Sequence, residues 1–303
     1  MLSLSLPQVR PAQPVRQNGH AVLTPAANEQ VRDLTGRTYL SFSQVNGFRM
    51  CPRKWAYHYV EDATPAFTPQ SLLFGSAFHH ALESHFLAKM EGRSLTPAQV
   101  VDAFKGYLTD PANVKAPLKY GAKDNQETLF ALGERMVLAF LASPLANPAG
   151  DIVFIEENLQ APVAPDLPDI VAKVDLGIIG LDGVLTVLDF KTSRSKWNPA
   201  GVAEHADQLL LYRLLALHRN PDEQIRLKFA VVTKAVAPVV QDLEVAYDAK
   251  TAGRVIDSMR PVWAAMKAQA YFPAPSAMNC GGCPYSHLCP AYRGAGGGEG
   301  GAD

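Results

Sequence analysis

The 303-residue chain is sparing with cysteine, of which it has four, and it has no long apolar run. No stretch approaches the roughly 18 apolar residues that a membrane-spanning helix needs. The opening Met1-Leu2-Ser3-Leu4-Ser5-Leu6 has no basic flank and breaks at Pro7, so it does not have the form of a signal peptide. These absences lead us to expect a cytoplasmic protein with no membrane association, in which thiols stay reduced and clustered cysteines favour metal over disulfide. A Gly-x4-Gly-Lys-Ser/Thr phosphate loop is missing, which excludes a nucleotide-driven motor of that type. There is no Gly-x-Ser-x-Gly nucleophile elbow either. Charge is balanced, with 28 basic and 29 acidic residues, so net charge favours neither nucleic acid nor its absence.

Hydrophobic residues make up 48% of the chain, enough for an ordinary globular core. Residues 1–37 are rich in Pro, Gln, Asn and Ala without periodicity and are expected to form a flexible leader. The glycine-rich residues 294–303 are expected to be disordered. Between them, Ser41-Phe42-Ser43-Gln44 has the form of a capping box that starts a helix toward Cys51-Pro52. Phe74, Phe78, Ala81, Leu82 and Phe86 recur at helical spacing from Ser71 to about Met90, and Gly92 is placed to end that helix. Two further helices, about 97–108 and 126–142, complete a helical insertion at about 92–150. The texture then changes to strands at 152–159, 170–179, 184–191, 227–234 and 239–245, interrupted by a helix at about 203–218 and followed by another at about 250–270. The expected fold is α/β, with a small mixed sheet flanked by helices.

Two constellations carry chemistry. Cys51 stands alone near the front, while Cys280, Cys283 and Cys289 lie close together near the end. Their number and split suggest one four-thiolate site that ties the two ends together. Spacing alone leaves zinc and iron open. The second constellation is a hairpin. A three-residue loop Leu181-Asp182-Gly183, with Gly183 left-handed, pairs residue 180 with 184 and sets Asp175 opposite Asp189. Alternation along the strand puts Asp189 and Lys191 on one face and Phe190 on the other. Two carboxylates together suit a hard divalent cation such as Mg or Mn. The metal can acidify a water and neutralise charge on a phosphate, while a lysine orients the attacking water or stabilises the transition state. A two-residue loop would aim the carboxylates at opposite faces. Glu156, in Ile155-Glu156-Glu157 on the preceding strand, is a candidate to face the site as well, but a structural or solvent-facing role is the favoured reading.

The order Gly75-x-x-x-His79, then Asp175, then Asp189-Phe190-Lys191-Thr192, then Gln208-Leu209-Leu210-Leu211-Tyr212 resembles the RecB-like branch of the PD-(D/E)XK nuclease superfamily. With Cys51 before and Cys280-x2-Cys283-x5-Cys289 after, it resembles the iron-sulfur members of that branch, which include CRISPR-associated RecB-like exonucleases, phage exonucleases and the AddB nuclease domain. The resemblance covers about residues 39–293. It implies that His79, Asp175, Asp189 and the backbone carbonyl of Phe190 bind catalytic Mg or Mn, and that Lys191 is the catalytic lysine. Gln208 and Tyr212 would form the motif that follows, and the four cysteines would hold a [4Fe-4S] cluster. One departure is Ala172, three residues before Asp175, where relatives carry glycine.

The resemblance implies one nuclease domain over 38–293 and a DNA exonuclease acting on single strands or DNA ends. The setting would be recombination, repair, phage DNA processing or CRISPR adaptation, with unwinding left to a helicase or other partner. Arg49, Arg53, Lys54, Lys115, Lys119, Lys123, Arg194 and Lys196 are candidates for a basic DNA lining. The alternative is a catalytically weak DNA-end-binding adaptor with the same fold. A third reading, a zinc-stabilised structural protein, predicts no iron absorbance and no metal-dependent cleavage.

Overall fold

In the computed structural model, which describes residues 25–219 and 224–293, the capping box forms as the sequence requires. Ser41 Oγ accepts from Gln44 N–H at 3.2 Å, and Gln44 Oε1 accepts from Ser41 N–H at 2.7 Å. The chain before it departs from expectation. Pro25–Thr35 is a helix, α1, whose Val31 is fully buried and whose Asn28 side chain accepts from the Asp169 backbone N–H. The expected flexible leader therefore does not extend through residue 37. Its first part and the expected disordered tail lie outside the described residues. After α2 (Phe42–Met50), Cys51 turns the chain into a further short helix, α3 (Pro52–Tyr59), that the sequence reading did not separate. Pro52 at its first position loses no helical hydrogen bond there.

The long helix α4 (Gln70–Met90) ends at Gly92, whose φ of 72° is the left-handed conformation that suits glycine. With α5 (Pro97–Thr109) and α6 (Gln126–Leu141) it forms one helical layer. A small parallel pair, β2 (Thr68–Pro69) with β3 (Leu118–Lys119), brackets the start of that layer.

The main sheet contains β1 (Leu40–Ser41), β4 (Asp151–Ala161), β5 (Ile170–Ile179), β6 (Leu185–Ser193), β7 (Ile225–Thr233) and β8 (Val240–Val245). It is mixed: β4–β5, β5–β6 and β7–β8 run antiparallel, and β1–β5 and β6–β7 run parallel. One face packs on α4, α5 and α6 through Leu176, Ile178, Leu188 and Phe190. The other packs on α1, α2, α3, α7 (Pro199–Arg219) and α8 (Ala249–Lys267) through Val174, Val187 and Val231. The result is a three-layer α/β architecture with a core on each side of the sheet. Alternation along β6 decides which core each residue enters, so Val187 and Leu188 face opposite ways. Two short helices, α9 (Ala277–Cys280) and α10 (Pro290–Arg293), complete the described chain. Among the described residues no helix is long and apolar enough to cross a membrane.

Candidate active site and cysteine pocket

The β5–β6 hairpin has the expected turn. Gly180 N–H donates to Val184 O, Gly183 has φ 75°, and Leu176 pairs with Leu188. The ladder ends there, one position before Asp175 and Asp189. On the edge of β5 away from β4, β1 covers only Ile170 and Val171, while β6 begins pairing at Leu176. A four-residue gap ending at Asp175 therefore opens in the sheet. Asp175 fills it with its side chain, its Oδ2 accepting from Phe190 N–H at 2.7 Å.

The opposite edge is irregular at the same level. Glu156 has φ 49°, sparsely populated by non-glycine residues, and its place opposite Asp175 drops out of the β4–β5 ladder. Side-chain direction reverses on both strands at this point. Ala172 and Val174 enter one core and Leu176 and Ile178 the other, although all four are even-numbered. That reversal turns Glu156 and Asp175 toward α4, which supplies His79. His79 Nδ1 lies 3.3 Å from Asp175 Oδ1 and 3.5 Å from Glu156 Oε1. The three offer donor atoms that all lie within 4.8 Å of one another. The sequence expectation for Glu156, a structural or solvent-facing role, is thus overturned. No local signal marks it, because a glutamate in a β-rich run gives no hint of a left-handed backbone. Glu156 Oε2 in turn meets Lys173 Nζ at 2.5 Å.

Asp189 is buried next to this group, close enough to sense the charges of Asp175 and His79, though its carboxylate is not one of the three converging donors. Lys191 Nζ lies 2.7 Å from its Oδ2, off the hydrogen-bonding angle, so that this buried oxygen has no hydrogen-bond partner. Lys191 donates instead to Gln208 Oε1 at 2.9 Å, and Gln208 Nε2 donates to Tyr212 OH at 2.5 Å. Spacing of four on α7 places Gln208 and Tyr212 on the face that meets β6. Phe190 contributes its backbone to Asp175 and its ring to the other core, stacked on Phe86 at 5.9 Å and edge-on to Phe140 and His79.

Electrostatics show a site with surplus negative charge. Burial, then the Asp175 charge, push Asp189 up to about 6 against the pull of Lys191. For His79, burial disfavours the imidazolium, but Asp175 and Glu156 outweigh it and raise the group to about 10. Burial raises Tyr212 well above its ordinary value, with Asp189 and Asp175 adding to it. An imidazole and two converging carboxylates, with the buried Asp189 carboxylate beside them, form an oxygen-rich donor set that fits a hard divalent cation of the Mg or Mn type.

The four cysteines meet at the other end of α2 and α3. All four line one pocket with Arg53, Lys54, Tyr57 and Asn279. No three of their sulfurs lie within 4.8 Å of one another. Burial pushes the Cys283 thiol up, against the Tyr285 backbone N–H and Lys54. Hydrogen bonds from Asn279 Nδ2 to Met50 O and from Tyr57 OH to Leu288 O fasten the C-terminal segment to α2 and α3.

The model of the PD-(D/E)XK nuclease superfamily matches residues 39–290. Among solved structures, a candidate exonuclease from Eubacterium rectale is similar in fold, at TM-score 0.55 and 14% identity over 91% of this chain and 93% of that one. The structure of SSO0001 matches at TM-score 0.32 and 16% identity, over 75% of this chain and 87% of that one. No curated protein matches the sequence. A family match spanning residues 39–290, on a mixed sheet that carries His79, Asp175, Asp189 and Lys191, makes the chain a member of the PD-(D/E)XK nuclease superfamily.

Proposed function

We propose that the protein is a divalent-metal-dependent DNA exonuclease that hydrolyses phosphodiester bonds in single strands or at DNA ends. The observation that carries this reading is the convergence of His79, Glu156 and Asp175 beside the Asp189–Lys191 pair. His79, Asp175 and Asp189 would hold Mg or Mn, with Glu156 as a further ligand and the Phe190 carbonyl at the rim. Bound there, the metal supplies Lewis-acid stabilisation of phosphate charge and a more acidic water. Lys191 is the group placed to orient the attacking water and to offset charge developing on the phosphate. Gln208 positions the Lys191 ammonium through its carbonyl oxygen and Tyr212 through its amide. Asp175 is itself held by the Phe190 N–H, which fixes its rotamer independently of the cation.

A groove of about 540 Å³ supports a polynucleotide substrate. It shares Cys51 and Lys54 with the cysteine pocket, and Leu72 and Ser76 with the cavity that contains His79, Glu156 and Lys173. Its lining includes Lys54, Lys115, Tyr59, Phe67 and Tyr285 and no acidic residue. Aromatic surface with few cations suits unstacked bases better than a duplex, whose binding rests on phosphate contacts.

We further propose that Cys51, Cys280, Cys283 and Cys289 hold a [4Fe-4S] cluster. What supports a shared site is that all four cysteines line one pocket, although they are far apart in the chain. On this reading residues 38–293 are the nuclease domain, with 92–150 as its helical insertion. It works in the cytoplasm on DNA ends in recombination, repair, phage DNA processing or CRISPR adaptation, with a helicase-type partner where unwinding is needed. Cleavage of end-labelled single- and double-stranded DNA by anaerobically purified protein, with Mg or Mn against EDTA, tests the reading. Metal-dependent shortening that vanishes in Lys191→Ala supports it. Binding without cleavage by the wild type replaces it with an end-binding adaptor.

A further inference from the structure

Lys234 stands where a structural lysine has little reason to be. It follows β7 directly, and its backbone N–H donates to Ser193 O at 2.6 Å, which docks it beside the end of β6, two residues beyond Lys191. Val231 pairs with Lys191, so Lys234 lies about 10 Å farther along the sheet, at about 3.3 Å per residue. Its side chain is half-buried. Nζ sits 4.9 Å from the ring centroid of Phe74, on α4 five residues before His79. Among the described residues no carboxylate lies within ion-pair distance of it, and none within that distance of Arg194, the next residue after Ser193. The two cations act on each other instead, and burial first, then Arg194, hold the Lys234 ammonium below its ordinary range.

A partly desolvated ammonium next to a second cation is unfavourable in isolation, and an unpaired charge of this kind destabilises a fold unless an anion completes it. The cation–π contact offsets part of that cost. The lysine within β7 shows the ordinary solution, because Lys228 pairs with Asp242 on β8 at 2.8 Å. What Lys234 and Arg194 have instead is position, just past the ends of β7 and β6, the latter carrying Asp189 and Lys191.

We infer that Lys234 and Arg194 form a phosphate-binding site that holds the backbone of a polynucleotide next to the bond being cut. The anion is a phosphodiester group of the substrate strand, recognised by charge and not by base. The Phe74 face keeps the ammonium aimed and partly dehydrated, which strengthens its attraction to phosphate. The inference rests on the nuclease reading for its substrate but on separate residues for its geometry.

The test is binding of a 5′-labelled single-stranded oligonucleotide by the full chain, followed by fluorescence anisotropy over a salt series with Ca in place of Mg or Mn. Lys234→Met, which keeps the bulk and removes the charge, is expected to weaken binding about tenfold and to lower the salt slope by about 0.7, the value for one phosphate contact to a single strand. Its Tm should stay level or rise, because a buried charge is gone, and Mn affinity should not change. Arg194→Gln, fully on the surface, should weaken binding in the same direction, and Lys234→Arg should retain it. Unchanged affinity and slope in Lys234→Met overturn the inference, as does a loss of binding that tracks a fall in Tm. Wild type that binds with the expected Lys234 dependence but never cleaves would end the nuclease reading and leave this site standing. Wild type that cleaves without that dependence would do the reverse.

Discussion

Glu156 divides its two oxygens, Oε1 toward His79 and Oε2 to the Lys173 ammonium. A ligand held this way is oriented from outside the cation site, and loss of such support commonly costs 10–100-fold in metal affinity. Glu156→Ala is therefore expected to weaken Mn binding by at least about tenfold, read by calorimetry on DNA-free protein. Lys191→Ala should leave Mn binding nearly intact and lower cleavage by about 10²–10⁴-fold, the range for loss of a positioned proton-handling group. Equal effects of the two variants on metal affinity would contradict the separation of roles. A different residue governs acid stability. His85 is buried with Nε2 against Ala146 O at 2.9 Å, and burial, outweighing that bond, lowers its affinity for a proton. Unfolded, it takes up a proton near pH 6.5. Its contribution is thus fully present above about 6.5 and is lost as pH falls toward the depressed folded value. Urea midpoints at pH 7.5 and 5.5 should drop less in His85→Gln than in the wild type.

At the scale of elements, α4 serves two masters. Its buried side, from Phe74 through Phe86, anchors one core, while Gly75, Ser76 and His79 line a cavity together with Glu156 and Lys173. A Cβ at Gly75 would meet nothing within 4 Å, and glycine inside a helix costs about 1 kcal/mol relative to alanine. Gly75→Ala should therefore raise Tm by a few degrees, and a fall in cleavage rate alongside would show that the missing side chain leaves room for substrate. Gly133 on α6 is the opposite case, because a Cβ there collides with the Phe104 ring of α5. Gly133→Ala should destabilise by about 1–3 kcal/mol through overpacking, measured by chemical denaturation, despite its better helix propensity. Element positions were largely legible in the sequence. The α4 stripe, the capping box at Ser41 and the hairpin turn at Gly183 are each set by local rules of spacing, capping or φ. The helix at Pro25–Thr35 was hidden because its polar, proline-started segment gains stability only from docking Val31 and Asn28 on the rest of the fold.

For the whole molecule, the cysteine pocket joins segments more than two hundred residues apart. Holding such distant points together removes much entropy from the unfolded chain. The surrounding hydrogen bonds, including His58 Nδ1 to Tyr285 OH at 2.9 Å, define a single arrangement of the two ends. On the proposed cluster reading, Cys283→Ser should abolish visible iron-sulfur absorbance and lower Tm by about 4–6 °C, the shift for some 2–3 kcal/mol in a chain of this size. Because Met278, Pro284 and Tyr285 form one wall of the 540 Å³ groove, single-strand binding should weaken in the same variant. A variant that keeps both Tm and binding would reduce the pocket to a peripheral feature.

Local rules along the chain were enough for the order of helices and strands, for the hairpin turn with Leu176 opposite Leu188, and for the separation of Phe190 from Asp189 and Lys191. These follow from alternation, helical spacing and turn chemistry, which act over a few residues. Long-range packing set the rest: β1 and β6 leave a gap beside Asp175, β4 and β5 reverse their side-chain directions at Glu156, and Lys234 sits beside the end of β6 with no carboxylate partner among the described residues. Each of these arises where strands distant in the chain compete for the same edge, and local propensity carries no record of that competition.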